Sequence, residues 1–120
     1  MKVGDYVRTK DYHNIRSRIG KIIRQDGKYY YLDIDEDTQM VWEKDTILTS
    51  SPNIIDLIEV GDYVNGLKIT YIDEPDEYNS QRLLYFEYPI DYVIKTFCNE
   101  DIKSIVTKEC FKSMEYKVKE

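Results

Sequence analysis

Short runs of β-branched and aromatic residues, separated by polar or glycine-bearing stretches, recur along the chain. In the first half they fall at Val3, Tyr6-Val7, Ile22-Ile23, Tyr29 to Ile34 and Met40 to Trp42. Runs this short, rich in Tyr, Val and Ile and closely spaced, predict the strands of a small barrel. Gln25-Asp26-Gly27-Lys28 predicts a hairpin, with Asp-Gly supplying the positive φ of a type I′ turn. Gly4 and Gly61 each precede Asp-Tyr where a strand begins, a place where Gly tolerates tight turning. Ser51 predicts the cap of a short helical turn with Pro52 at its first position. Thr107 does the same for Lys108 to Met114, in which Phe111 and Met114 stand three apart and face one way. Tyr116 and Val118 then alternate as a last strand.

The pattern is written twice. Residues 3–7 read Val-Gly-Asp-Tyr-Val, and residues 60–64 repeat the same five letters at an offset of 57. Chance makes an identical pentapeptide very rare in 120 residues. The strand runs continue the match. Ile19-Gly20-Lys21-Ile22-Ile23 corresponds to Leu67 to Ile72, and Tyr29 to Ile34 corresponds to Leu83 to Tyr88. Asp45 to Thr49 then corresponds to Lys103 to Thr107 at an offset of 58, a drift that one loop insertion explains. Self-similarity of this kind marks a repeat architecture. The expected fold is mainly β: a tandem of two small SH3-like β-barrel modules, residues 1–58 and 59–120, each ending in a short helical turn. A module of about 60 residues buries only about 60% of the surface its unfolded chain exposes. Docking of the modules, or a homo-oligomer, would relieve that shortage. The apolar junction (Ile54, Ile55, Leu57, Ile58) predicts docked modules rather than tethered ones.

Composition changes this picture in one respect. Hydrophobic residues make up 42% and charged residues 33%, a globular balance. There are 12 Tyr against 3 Phe and 1 Trp. Tyrosine suits half-buried strands, and it is also common on surfaces that bind partners. No stretch reaches the ~18 apolar residues of a membrane span, and the N-terminus runs into a patterned strand instead of a signal peptide. The expected location is the cytoplasm of a bacterial host cell, with no membrane partner. Cys98 and Cys110 are expected as free thiols there, and their spacing without a nearby His is not that of a metal site.

Gly4-Asp5-Tyr6-Val7 followed by Ile19-Gly20-Lys21-Ile22 resembles the KOW and SH3-like barrel pattern. The run from Ser51-Pro52-Asn53-Ile54-Ile55-Asp56-Leu57-Ile58-Glu59 to Val60-Gly61-Asp62-Tyr63-Val64-Asn65-Gly66 is longer and more telling. With Ile105-Val106-Thr107-Lys108-Glu109, it looks like a family of small phage and prophage proteins of low-GC Gram-positive bacteria. The resemblance covers most of the chain and is weakest from Pro75 to Asn99. It implies a mobile-element origin and carries over no catalytic residue. Small acidic phage proteins of this kind often act against host systems, CRISPR nucleases among them. By that analogy the chain would bind and inhibit a host protein.

The candidate chemistry is sparse. His13, the only histidine, sits in the polar stretch Lys10-Asp11-Tyr12-His13-Asn14, where a solvated loop is the ordinary role. Asp33-x-Asp35-x-Asp37 starts like a calcium loop, but Thr38 and Lys44 stand where Gly and Glu are required. Asn65-Gly66 is an isolated turn dipeptide and not a phosphate loop. No enzyme activity, cofactor or metal is expected. Charge is more informative. The net charge is −6, made of −1 from residues 1–58 and −5 from residues 59–120. The acidic second half, with Asp73, Glu74, Asp76, Glu77, Tyr78, Glu87 and Asp91, predicts a surface for a basic partner, such as a host nucleic-acid-processing defence enzyme. The alternative is a nucleic-acid or nucleotide site on the basic stretch of the first half, at Arg8, Lys10, Arg16, Arg18, Arg24 and Tyr30. Overall acidity works against that alternative at long range.

Overall fold

The computed structural model describes residues 1–10, 16–34, 40–78, 80–86, 95–110 and 115–118. The chain divides into two compact units, Met1–Leu57 and Ile58–Glu120. Both are antiparallel β-structures.

In the first unit, β1 (Tyr6–Thr9), β2 (Ile19–Asp26), β3 (Tyr29–Leu32), β4 (Met40–Glu43) and β5 (Ile47–Ser51) form one sheet in the order β4-β3-β2-β1-β5. The side-chain period of a strand explains which residues go inside. On β3, Tyr30 and Leu32 are buried while Tyr29 is exposed and Tyr31 half-buried. Val7, Ile22, Tyr30, Leu32, Trp42 and Ile47 meet in one core with Ile34, so every strand of the sheet feeds the same cluster. Gly20 leaves room for that cluster, since a Cβ there would stand 2.6 Å from Ile34 Cγ1.

The β2–β3 hairpin forms where the sequence predicts it, but with a different turn. Asp26 still pairs with Tyr29, so the two turn residues are Gly27 and Lys28, and only Gly27 has positive φ. Glycine first is the type II′ arrangement, not type I′. The Ser51 cap is present in outline. Its Oγ accepts the Asn53 N–H at 3.0 Å and pairs with the Asp56 carboxylate, and a 3-10 turn follows at Ile54–Leu57.

The second unit contains β6 (Tyr63–Val64), β7 (Leu67–Asp73), β8 (Leu83–Phe86), β9 (Lys95–Phe97), β10 (Ser104–Val106) and β11 (Tyr116–Lys117), in the order β11-β10-β6-β7-β8-β9. With β11 set aside, this is the strand order of the first unit. The likeness extends to single hydrogen bonds. Gly4 N–H donates to Ile22 O at 2.8 Å, and Gly61 N–H to Ile69 O at 2.9 Å. Ile22 N–H donates to Asp5 O, and Ile69 N–H to Asp62 O, both at 2.8 Å. Asp5 accepts the Lys2 N–H at 3.2 Å, and Asp62 accepts the Glu59 N–H at 2.7 Å. Both glycines are left-handed, with φ of 98° and 101°. The repeated pentapeptide is therefore one backbone corner built twice.

Register corrects the alignment of the last strands. Tyr6 pairs with Ser51 and Tyr63 with Val106, so the offset at β5/β10 is 55, not 58. Lys21 and Lys68 are equivalent at 47, and Tyr31 and Tyr85 at 54. The second unit is shorter between its first two strands, where Asn65-Gly66 makes a tight hairpin, and longer in the next two connections. These changes nearly cancel, so the offset is almost the same at the two ends of the units, 57 at Tyr6 and Tyr63 and 55 at Ser51 and Val106.

Neither sheet closes into a barrel, so the closed SH3-like barrels expected from the sequence are not what the hydrogen-bond ladders make. Of the helical segment expected after Thr107, the described part is a turn in which Cys110 N–H donates to Thr107 O at 2.9 Å. Residues 111–114 lie outside the described residues.

Candidate interaction surface

The outer face of the first sheet carries three tyrosine–cation pairs. Arg24 faces Tyr31 across the ladder, its guanidinium 4.8 Å from the ring centre and 3.6 Å from the Asp26 carboxylate. The Lys28 ammonium stands 5.3 Å from the Tyr29 ring and 3.9 Å from Glu43, the β4 partner of Tyr29. The Lys21 ammonium stands 5.7 Å from Tyr6, its partner on β1. A cation over a ring is held by the ring's quadrupole, and at exposed sites each such pair contributes about 0.5–1 kcal/mol. These pairs follow from strand alternation, which puts one side of each β-strand into the core and the other outside.

The second sheet repeats part of this surface. Tyr63 faces Lys68 as Tyr6 faces Lys21. Tyr85 stands at the position of Tyr31, and Asp73 at that of Asp26. The position of Arg24 is taken by Tyr71, which meets Tyr85 edge to face with centroids 5.5 Å apart. Tyr71 is 59% exposed.

Two of the predicted nucleic-acid residues are corrected by their burial. Arg8 is 1% exposed and gives Nη1 to the Leu57 carbonyl at 3.1 Å, and Tyr30 is 6% exposed in the core. Neither can meet a phosphate or stack on a base from outside. Lys10, Arg16 and Arg24 are exposed, and Arg18 is half-buried. Lys10 lines a cleft of about 450 Å³ with Lys28, Glu43, Lys44, Asp45 and Ile47, a lining of three lysines and two acidic residues.

The acidic residues gather at the end of β7 and in the connection that follows. Asp73 is half-buried. Glu74 pairs with Arg82 at 3.0 Å, and Asp76 accepts the Tyr78 N–H at 2.8 Å. Glu77 is exposed, and Tyr78 stands almost fully in solvent at 90%. Glu87 and Asp91 lie outside the described residues, as do His13, Asp35 and Asp37. Among the described residues, no group of three or more His, Cys, Asp and Glu side chains is placed to hold a metal ion.

Cys98 and Cys110 are free thiols. The Cys98 thiol donates to Asp101 Oδ2 at 3.1 Å, and this interaction, with the Glu100 carboxylate as a second acceptor, pushes the thiol pKa up. Asp101 is lowered, first by the Cys98 backbone N–H at 3.0 Å and then by the thiol. A raised thiol pKa keeps Cys98 protonated at neutral pH and makes it a poor nucleophile.

Tyr6, Lys68, Tyr71 and Tyr85 are further surface groups, beyond those that charge patterning in the sequence points to. The signal was available in the period of two: with Leu32 inside, Tyr30 must be inside and Tyr31 outside. No family model, no curated protein and no solved structure matches this chain.

Proposed function

We propose that the chain is a non-enzymatic binding protein of phage or prophage origin, built from two SH3-like units, that engages a host protein through its outer tyrosine faces. The observation that carries this reading is the row of exposed and half-exposed tyrosines on the first sheet, whose neighbouring charges are already balanced. Arg24 lies near Asp26 and Lys28 near Glu43. A face with aromatic rings and paired charges suits a protein partner, where Tyr and Arg supply much of the binding energy. It suits a polyanion poorly, because a phosphate would have to displace Asp26 and Glu43 from their cations.

Connectivity supports the SH3-like reading. The edge strands β4 and β5 are joined only by the 3-10 turn Lys44–Thr46. Three residues of 3-10 helix span about 6 Å, whereas the edges of a flat five-stranded sheet lie about 19 Å apart. The sheet must therefore curl until its edges approach. The shared cleft of Lys10, at the end of β1, and Lys28, at the β2–β3 turn, agrees with that curl. The phage origin and the inhibitory role rest on the sequence resemblance. The acidic second half, with Asp73 to Tyr78, sets the sign of the partner's charge as basic.

Affinity capture from a Gram-positive host lysate tests the reading, with the wild-type chain beside a Tyr29→Ser, Tyr31→Ser double variant. The expected result is a discrete host protein retained by the wild type and lost by a folded double variant. Retention indifferent to the two tyrosines, or no retained protein at all, would count against it.

A further inference from the structure

The two outer faces differ at one informative point. In the first unit a single guanidinium serves two groups: Arg24 covers the Tyr31 ring at 4.8 Å and lies 3.6 Å from the Asp26 carboxylate. The second unit keeps the ring as Tyr85 and the carboxylate as Asp73, at the equivalent register positions. The cation between them is gone, and Tyr71 stands in its place. Among the described residues no cation lies over Tyr71 or Tyr85, and none pairs with Asp73 within 4 Å. Arg82, the nearest arginine in sequence, is turned to Glu74 at 3.0 Å.

The fold does not demand these identities. Exposed sheet positions tolerate most substitutions within about 0.5 kcal/mol. Some core positions have meanwhile changed between the units, Tyr30 corresponding to Leu84 and Leu32 to Phe86, while Val7 and Val64, and Ile22 and Ile69, are the same. A ring and a carboxylate kept at outer positions, where the core does not fix them, point to a ligand. Tyr71, at 59% exposure and 5.5 Å from Tyr85, turns the single ring into a two-ring corner open to solvent. Such a corner beside a carboxylate takes a planar cation, because the rings attract its face and the carboxylate accepts its N–H groups.

We propose that Tyr71, Tyr85 and Asp73 form a receptor for an arginine side chain on a basic segment of the protein partner. That arginine supplies in trans what Arg24 supplies within the first unit. The inference rests on the protein-binding reading above and narrows it to the partner's chemistry. The −5 charge of residues 59–120 favours a basic segment at long range.

The test is an NMR titration of the full chain, with tyrosine rings carbon-labelled, against acetyl-Gly-Gly-Arg-Gly-Gly-amide and its lysine and norleucine counterparts. The arginine peptide should move the ring signals of Tyr71 and Tyr85 and leave Tyr31 still. Arg24→Ala should then make Tyr31 respond, since it empties the equivalent place. Asp73→Asn should weaken the arginine peptide about two- to fivefold, as expected for one exposed ion pair. Equal shifts with norleucine or lysine would overturn the assignment, as would silent Tyr71 and Tyr85 signals at tens of millimolar peptide. The same shifts on raising protein concentration without peptide would give the corner to a second copy of this chain and also overturn it. If the peptide fails while lysate capture still depends on Tyr29 and Tyr31, this site falls and the broader reading stands.

Discussion

At the scale of the residue, burial decides between roles that one amino acid can play. Arg8 lies in a stretch crowded with cations and would be taken for a phosphate contact. Its neighbour Val7 faces the core, so Arg8 faces the other way, where Leu57 takes its Nη1 at 3.1 Å. Arg8→Ala would strand the Leu57 carbonyl and open a cavity, at a cost of about 2–4 kcal/mol in urea unfolding. Arg16→Ala, at an exposed position, should stay within about 0.5 kcal/mol. Equal small effects would return Arg8 to the surface. The three consecutive tyrosines divide by the same logic: Tyr30 fills the core beside Trp42, while Tyr29 and Tyr31 hold Lys28 and Arg24 outside. Alternation made that division readable in advance. What covers Arg8 was not readable, because it comes from residue 57, 49 positions away.

At the scale of the element, the repeated Gly-Asp-Tyr corner is the best-determined part of the chain. Its aspartate holds backbone N–H groups, and the two copies are not equally loaded. Asp62 accepts from Glu59 at 2.7 Å and from Lys108 at 2.8 Å, and it is fully buried. Among the described residues, the one such bond on Asp5 comes from Lys2 at 3.2 Å. Asp62→Ala leaves two donors unsatisfied and should cost about 1–3 kcal/mol, with Asp5→Ala costing less. Chemical denaturation of the two variants checks the order, and the reverse order would contradict the assigned bonds. The sequence disclosed this corner because five identical letters build it. It misled at the last strand, where Lys103-Ser104-Ile105-Val106-Thr107 looks like Asp45-Thr46-Ile47-Leu48-Thr49. The pairing of Tyr63 with Val106 sets the offset three residues shorter. Unequal connections caused the error, and loop lengths leave little trace in strand patterns.

At the scale of the whole molecule, two sheets share one design, each with tyrosines on its outer face. The first face carries a cation over Tyr31, and among the described residues the second carries none over Tyr71 or Tyr85, which gives the units different tasks despite a common plan. All of this requires that neither sheet slip, since a shift of one residue exchanges the two faces of a strand. The most direct measurement is a nuclear Overhauser spectrum of the intact chain, read for cross-strand backbone contacts. The expected pairs are Val7 opposite Ser50 and Val64 opposite Ile105, with Tyr31 opposite Arg24 and Tyr85 opposite Tyr71. A spectrum that pairs Tyr30 with Arg24, or Leu84 with Tyr71, would turn the tyrosine faces inward and contradict this design.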